Sequence, residues 1–194
     1  NKHELETLED LDYFFFREDS TYIWDSLKIQ VLKELKFNNF FLTDSDILFK
    51  APIEFNNSID LYFDIVERKF TWESLYLPTI KQINKLGVLQ NIKYWDSNLA
   101  ITYNTGILKF NNLNLVQEYT SKWDEVYDVI TPYVNNPLDP FYLTPILTQY
   151  LLTIISQNYN TKPIGILKEY PKSENKYYTH YRGGLKRKYK GNLI

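Results

Sequence analysis

The segment Phe40-Phe41-Leu42-Thr43-Asp44-Ser45-Asp46-Ile47-Leu48-Phe49 decides how this chain is read. Phe40 to Leu42 form a short continuous apolar run, the pattern of a strand covered on both faces. The run stops at Thr43-Asp44-Ser45-Asp46, and Ile47 to Phe49 resume the apolar character before Pro52. In α/β sheets, ligands gather beyond the carboxyl ends of strands. Two carboxylates there suit a hard divalent cation such as Mg²⁺ or Mn²⁺, which takes oxygen ligands and bridges phosphates. The same pair also suits a solvent-facing turn in which Asp44 and Asp46 cap backbone amides. The apolar flanks favour a compensated site, because carboxylates beside a buried strand are costly when nothing pairs them.

Working outward, Ile23, Leu27, Val31, Leu32 and Leu35 recur at helical spacing, which predicts a helix over 21–36 behind a cap at Asp19-Ser20. Ile59 to Val66 reads as a strand with Asp60 and Asp64 near its ends, and 71–87 as mostly helical around Pro78. Leu99 to Phe110 reads as a strand broken at Asn104–Gly106. Helices follow over 113–130 and 143–155, with Pro132, Pro137 and Pro140 marking the loop between them. Ile164 to Leu167 suits a short strand, and the tail from Lys168 is polar, aromatic and basic. Helices alternating with buried strands predict one α/β domain over 1–194, with a mixed sheet flanked by helices.

The composition narrows the chemistry. The 194 residues include no cysteine, which excludes thiolate catalysis and disulfide scaffolds. Two histidines, His3 and His180, exclude a multi-histidine metal cage. A net charge of −2 does not advertise a nucleic-acid partner, and no apolar run reaches the roughly 18 residues of a membrane span.

Two further segments carry chemistry. His180-Tyr181-Arg182-Gly183-Gly184-Leu185-Lys186 offers a metal-binding imidazole, glycines that let backbone approach a ligand, and a cation for a phosphate. The alternative is a solvated basic tail, continued by Arg187, Lys188 and Lys190. Asn104-Thr105-Gly106 interrupts an apolar strand, as either a structural bulge or a ligand contact.

These three segments, in this order, resemble a glycosyltransferase of the GT-A fold, closest to family eight, the glycogenin and lipooligosaccharide galactosyltransferase group. Phe40 to Phe49 is similar to the family's hydrophobic strand and Asp-x-Asp motif, and Tyr103 to Phe110 to its Asn-x-Gly strand. His180-x-x-Gly183-x-x-Lys186 has the spacing of its C-terminal motif. The resemblance spans about residues 21–188 and implies transfer of a hexose from a nucleoside-diphosphate sugar, a UDP-sugar above all, to a glycan or other hydroxyl acceptor. It implies that Asp44, Asp46 and His180 hold Mn²⁺ or Mg²⁺, while Gly183 and Lys186 clamp the diphosphate. Asn104, Thr105, Gly106 and Lys28 would line the donor, Gln149 and Asp139 would assist at the anomeric carbon, and Trp72, Tyr76 or Trp95 would either stack on an acceptor sugar or, the favoured alternative for each, belong to the core. Residues 169–194 would form a lid closing over the diphosphate.

The chain departs from the family in two places. Lys186 is followed by Arg187-Lys188 rather than Pro-Trp, and Asp44 comes too early for the whole nucleotide-binding strand–helix–strand unit. With Asn1 first and no methionine anywhere, the expectation is that part of that unit lies upstream. The rival expectations are a metal-dependent phosphoester or sugar-nucleotide hydrolase, and a non-catalytic glycan- or partner-binding module on a degenerate transferase fold.

Overall fold

The computed structural model describes residues 26–34, 41–44, 47–67, 72–167 and 177–180. Helix α1 spans Ser26–Glu34, strand β1 Phe41–Thr43, β2 Ile47–Phe49 and β3 Leu61–Glu67. A wide helical turn, Trp72–Tyr76, runs into α2, Leu77–Leu86, followed by β4, Thr102–Tyr103, and β5, Ile107–Phe110. Next come α3, Leu113–Ile130, and α4, Pro140–Pro145, which a second wide turn, Ile146–Tyr150, joins to α5, Leu151–Asn158. Strands β6, Pro163–Leu167, and β7, Tyr178–His180, complete the order. Most of the expected lid lies outside the described residues.

The architecture is mixed α/β. The sheet is built around β3, whose Leu-Tyr-Phe-Asp-Ile-Val-Glu sequence is buried almost throughout. On one side β3 pairs in parallel with β6, from Leu61↔Pro163 to Ile65↔Leu167. On the other it pairs antiparallel with β5 and then with β4, and β1 adds antiparallel to β5. Strands β2 and β7 form a separate antiparallel pair.

Local sequence explains the flanking helices. Asn112 caps α3 by accepting from the N–H groups of Asn114 and Leu115. Leu115, Val116, Tyr119, Trp123, Val126 and Ile130 recur along one face of α3 and are all buried. Each such side chain contributes about 1.5–3 kcal/mol relative to exposure. Ile29 and Leu32 of α1 join the same core, and Lys33 ties that helix to Asp124 of α3 at 2.5 Å. Gly87, at φ +69°, ends α2 in the left-handed conformation that a side chain disfavours. Pro145 supplies no backbone N–H, and the helix relaxes there into the wide turn before α5. Among the described residues no helix is long and apolar enough to cross a membrane.

Three expectations are corrected. Strand β1 is not covered on both faces: Leu42 packs against the core, but Phe41 is 47% exposed and Thr43 is also exposed. With three residues paired to β5 alone among the described residues, β1 stands at the sheet's edge. Asp64 lies inside β3, fully buried, rather than near the strand's end. Helical structure resumes at Pro140 rather than Leu143, because Asp139 caps it and Pro140 fits a first-turn position.

Candidate functional site

The break between β4 and β5 is a bulge closed by its own side chain. Phe63 faces Leu108 and Val66 faces Tyr103, so Asp64 and Ile65 oppose the four residues Asn104–Ile107. Backbone bonds continue across it: the Asp64 N–H donates to the Asn104 carbonyl at 3.1 Å, and the Asn104 N–H to the Ile65 carbonyl at 2.9 Å. The Asn104 side-chain oxygen accepts from the Gly106 N–H at 2.9 Å, while its amide nitrogen donates to Glu67 Oε1 at 2.8 Å. The buried Glu67 carboxylate also accepts from the Tyr76 hydroxyl at 2.5 Å, and that hydroxyl lies 2.7 Å from Gln149 Oε1. A phenol has one proton, so both contacts are satisfied when the Gln149 amide turns to present its NH₂ to Tyr76. Tyr76 and Gln149 both stand in wide helical turns, a geometry frequent at functional sites.

The first motif begins on this bulge. The Asp44 N–H donates to the Gly106 carbonyl at 2.8 Å, and the Asp44 carbonyl accepts from the Ile47 N–H at 3.3 Å. The ammonium of Lys28 pairs with the Asp44 carboxylate and donates to the Thr105 carbonyl at 3.1 Å. Lys28 therefore ties α1, the end of β1 and the bulge together. The Thr105 hydroxyl is buried, with no hydrogen-bond partner among the described residues.

The third motif arrives through β7. Its register is Ile47↔His180, Leu48↔Thr179 and Phe49↔Tyr178, so the backbone of His180 stands opposite the residue that follows Asp46. The N–H groups of Lys50 and Ala51 extend the pairing by donating to the Tyr177 carbonyl at 2.7 and 3.1 Å. Tyr178 is fully buried and donates its hydroxyl to Asp64 Oδ1 at 2.5 Å. Asp46, the His180 side chain, Gly183 and Lys186 lie outside the described residues. Among the described residues, no group of three or more acidic or histidine side chains is placed to hold a metal ion. Of the expected donor set only the Asp44 carboxylate is described, and its charge is balanced by Lys28. A carboxylate such as that of Asp44 suits Mn²⁺ or Mg²⁺ in kind.

The remaining candidates divide. Gln149 is half-buried and reaches Asn104 through Tyr76 and Glu67. Asp139 is exposed and caps α4 by accepting from the Phe141 N–H at 2.8 Å. It lines a pocket of about 440 Å³ with Ser74, Thr79, Gln82 and Tyr142, and no hydrogen bond among the described residues connects it to the bulge. Tyr76 is core and does not present a stacking face, while Trp95 packs edge-on against Tyr150. The sequence reading missed Glu67, Tyr178 and the use of Asp64. Two carboxylates inside the apolar run Leu61–Glu67 were the available signal; a tyrosine in a tyrosine-rich tail carried none.

No family model, curated protein or solved structure matches the chain.

Proposed function

We propose that this chain is a metal-dependent glycosyltransferase of GT-A type, moving a hexose from a nucleoside-diphosphate sugar, a UDP-sugar above all, to a hydroxyl of a glycan or other acceptor. One observation supports this reading above the others. The Asp44 N–H is bonded to Gly106 and Ile47 is paired with His180, so the backbones of three segments far apart in sequence adjoin. Those are the segments whose motifs carry the resemblance.

In this reading Asp44, Asp46 and His180 hold Mn²⁺ or Mg²⁺ against the donor diphosphate. The metal's contribution is to neutralise charge on the leaving diphosphate. Lys28 has a second role available, because the ammonium that now balances Asp44 is a cation at the edge of the bulge. Together with Lys186 it supplies positive charge where the leaving group develops negative charge. Gly183 lets the backbone close on the phosphates. Asn104, Thr105 and Gly106 border the donor sugar, with Asn104 held in one orientation by Glu67 and Gly106. Gln149, anchored by Tyr76, and Asp139 are the groups proposed to assist at the anomeric carbon.

Thermal unfolding with UDP and Mn²⁺ together, compared with each alone, tests the reading. The expected result is a rise in Tm that exceeds the sum of the two separate rises, since each component completes the other's site. Release of UDP from a UDP-hexose with metal present would extend this to turnover. No Tm change with saturating UDP and Mn²⁺ would sink the assignment.

A further inference from the structure

Strand β7 is short, and a three-residue pairing with β2 does not hold itself together in water. What fixes it lies on its first residue. Tyr178 belongs to a small apolar cluster with Ile65, Ile107 and Leu167, separate from the main core. Its ring packs among those side chains while its hydroxyl reaches the fully buried Asp64 carboxylate at 2.5 Å. Asp64 is the β3 residue whose N–H meets the Asn104 carbonyl of the bulge. One side chain thus connects β7, two residues before His180, to the strand against which the bulge is built.

We propose that Tyr178 is a positioning residue: its hydrogen bond to Asp64 locks β7 onto the sheet and so holds the backbone of His180 opposite Ile47, the residue that follows Asp46 in sequence. The consequence for ligand affinity rests on the transferase reading, whereas the anchoring itself does not. A hydrogen bond to a buried carboxylate is among the stronger ones and corresponds to roughly ten- to a hundredfold in a local opening equilibrium. Removing the hydroxyl alone, in Tyr178→Phe, keeps the ring in its cluster and opens the strand. In Asp64→Asn an amide oxygen remains to accept the same proton, so the latch persists.

Amide hydrogen exchange on the full chain, without ligand, tests the anchoring. Tyr178→Phe is expected to exchange about tenfold or more faster at Thr179 and at Ile47–Phe49, with α3 unchanged, while Asp64→Asn keeps near-native protection in β7. Equal protection of β7 in Tyr178→Phe and the parent chain would overturn the latch. The positioning role is tested by the Kd for UDP with Mn²⁺ present, expected to rise about tenfold in Tyr178→Phe. An unchanged Kd in a variant with a loosened β7 would overturn that role. Failure of the parent chain to bind UDP and Mn²⁺ would strike the transferase reading instead, and the ligand-free exchange comparison would still decide the latch.

Discussion

The ammonium of Lys28 is paired with the Asp44 carboxylate, and the same group donates to the Thr105 carbonyl at 3.1 Å. The two side chains keep 15% and 20% of their surface, so the pair is partly shielded from solvent. An ion pair of this kind contributes about 1 kcal/mol. Under the proposed function, Lys28 competes with a cation for Asp44 and then assists the diphosphate. Lys28→Met should therefore have opposite effects on two affinities. Mn²⁺ alone should bind roughly fivefold more tightly, the equivalent of that lost pair, while UDP in the presence of Mn²⁺ should bind more weakly. Isothermal titration of both ligands checks this, and a loss in both affinities would count against the exchange.

Asp46 follows Asp44 by two residues and directly precedes the residue paired with His180. Asp46→Asn removes a charge that an amide cannot replace, with nearly the same volume. Mn²⁺-dependent UDP binding should be abolished, with the far-ultraviolet circular dichroism unchanged. Binding retained at full strength would mean that Asp46 is not a ligand.

Glu67 accepts from both Asn104 and Tyr76 in a buried setting, so these three behave as a unit. Tyr76→Phe should cost about 1–3 kcal/mol, as a lost bond to a buried carboxylate does. Asn104→Ala removes a partner from Glu67 and another from the Gly106 N–H, and should cost more, about 2–4 kcal/mol. Because both changes act on the same carboxylate, the double variant should depart from the sum of the two by about 0.5 kcal/mol or more. Urea unfolding of the four proteins measures this; strict additivity would show that Glu67 does not couple them.

The residues differ in how much of their role was legible in the sequence. Helix α3 was readable to the residue, because Val116, Tyr119, Trp123 and Val126 recur with one helical period. The interruption at Asn104–Gly106 was readable because a polar break in an apolar strand has a cost. The resolution of that cost was not, since it depends on Glu67, on a different strand. Strand β1 was misjudged for a related reason: an apolar run of three reports hydrophobicity but not the number of neighbours it finds. Lys28 is marked only by the family resemblance, whereas its partner Asp44 is marked by the carboxylate pair itself. Tyr178 gave no local sign, because its importance lies in a contact with Asp64, distant in sequence.

Burial of three described tyrosines is expected to weaken the fold at alkaline pH. Burial, followed by the nearby charge of Asp96, raises the Tyr150 pKa well above its usual value, and its hydroxyl donates to the Asp96 carbonyl. Burial and then Glu125 raise Tyr94 in the same direction, and burial raises Tyr103 despite hydrogen bonds that lower it. In the unfolded chain each ionises near pH 10. Below that value folded and unfolded chains both hold these protons, so the full stability is present. Above it the unfolded chain releases protons that the folded chain keeps, and unfolding gains up to about 1.4 kcal/mol per pH unit for the fully buried Tyr150, and less for the half-exposed Tyr94, which solvent screens. Stability should thus be governed by other groups up to about pH 9 and fall from pH 10 to 11, with Tyr150 contributing most. Urea midpoints at pH 8, 10 and 11 read the slope directly. Tyr150→Phe, which keeps the ring, should lower stability at pH 8 by about 1 kcal/mol for the lost hydrogen bond and make the alkaline fall shallower by one tyrosine's share. An unchanged alkaline slope in that variant would show that Tyr150 ionises alike in both states.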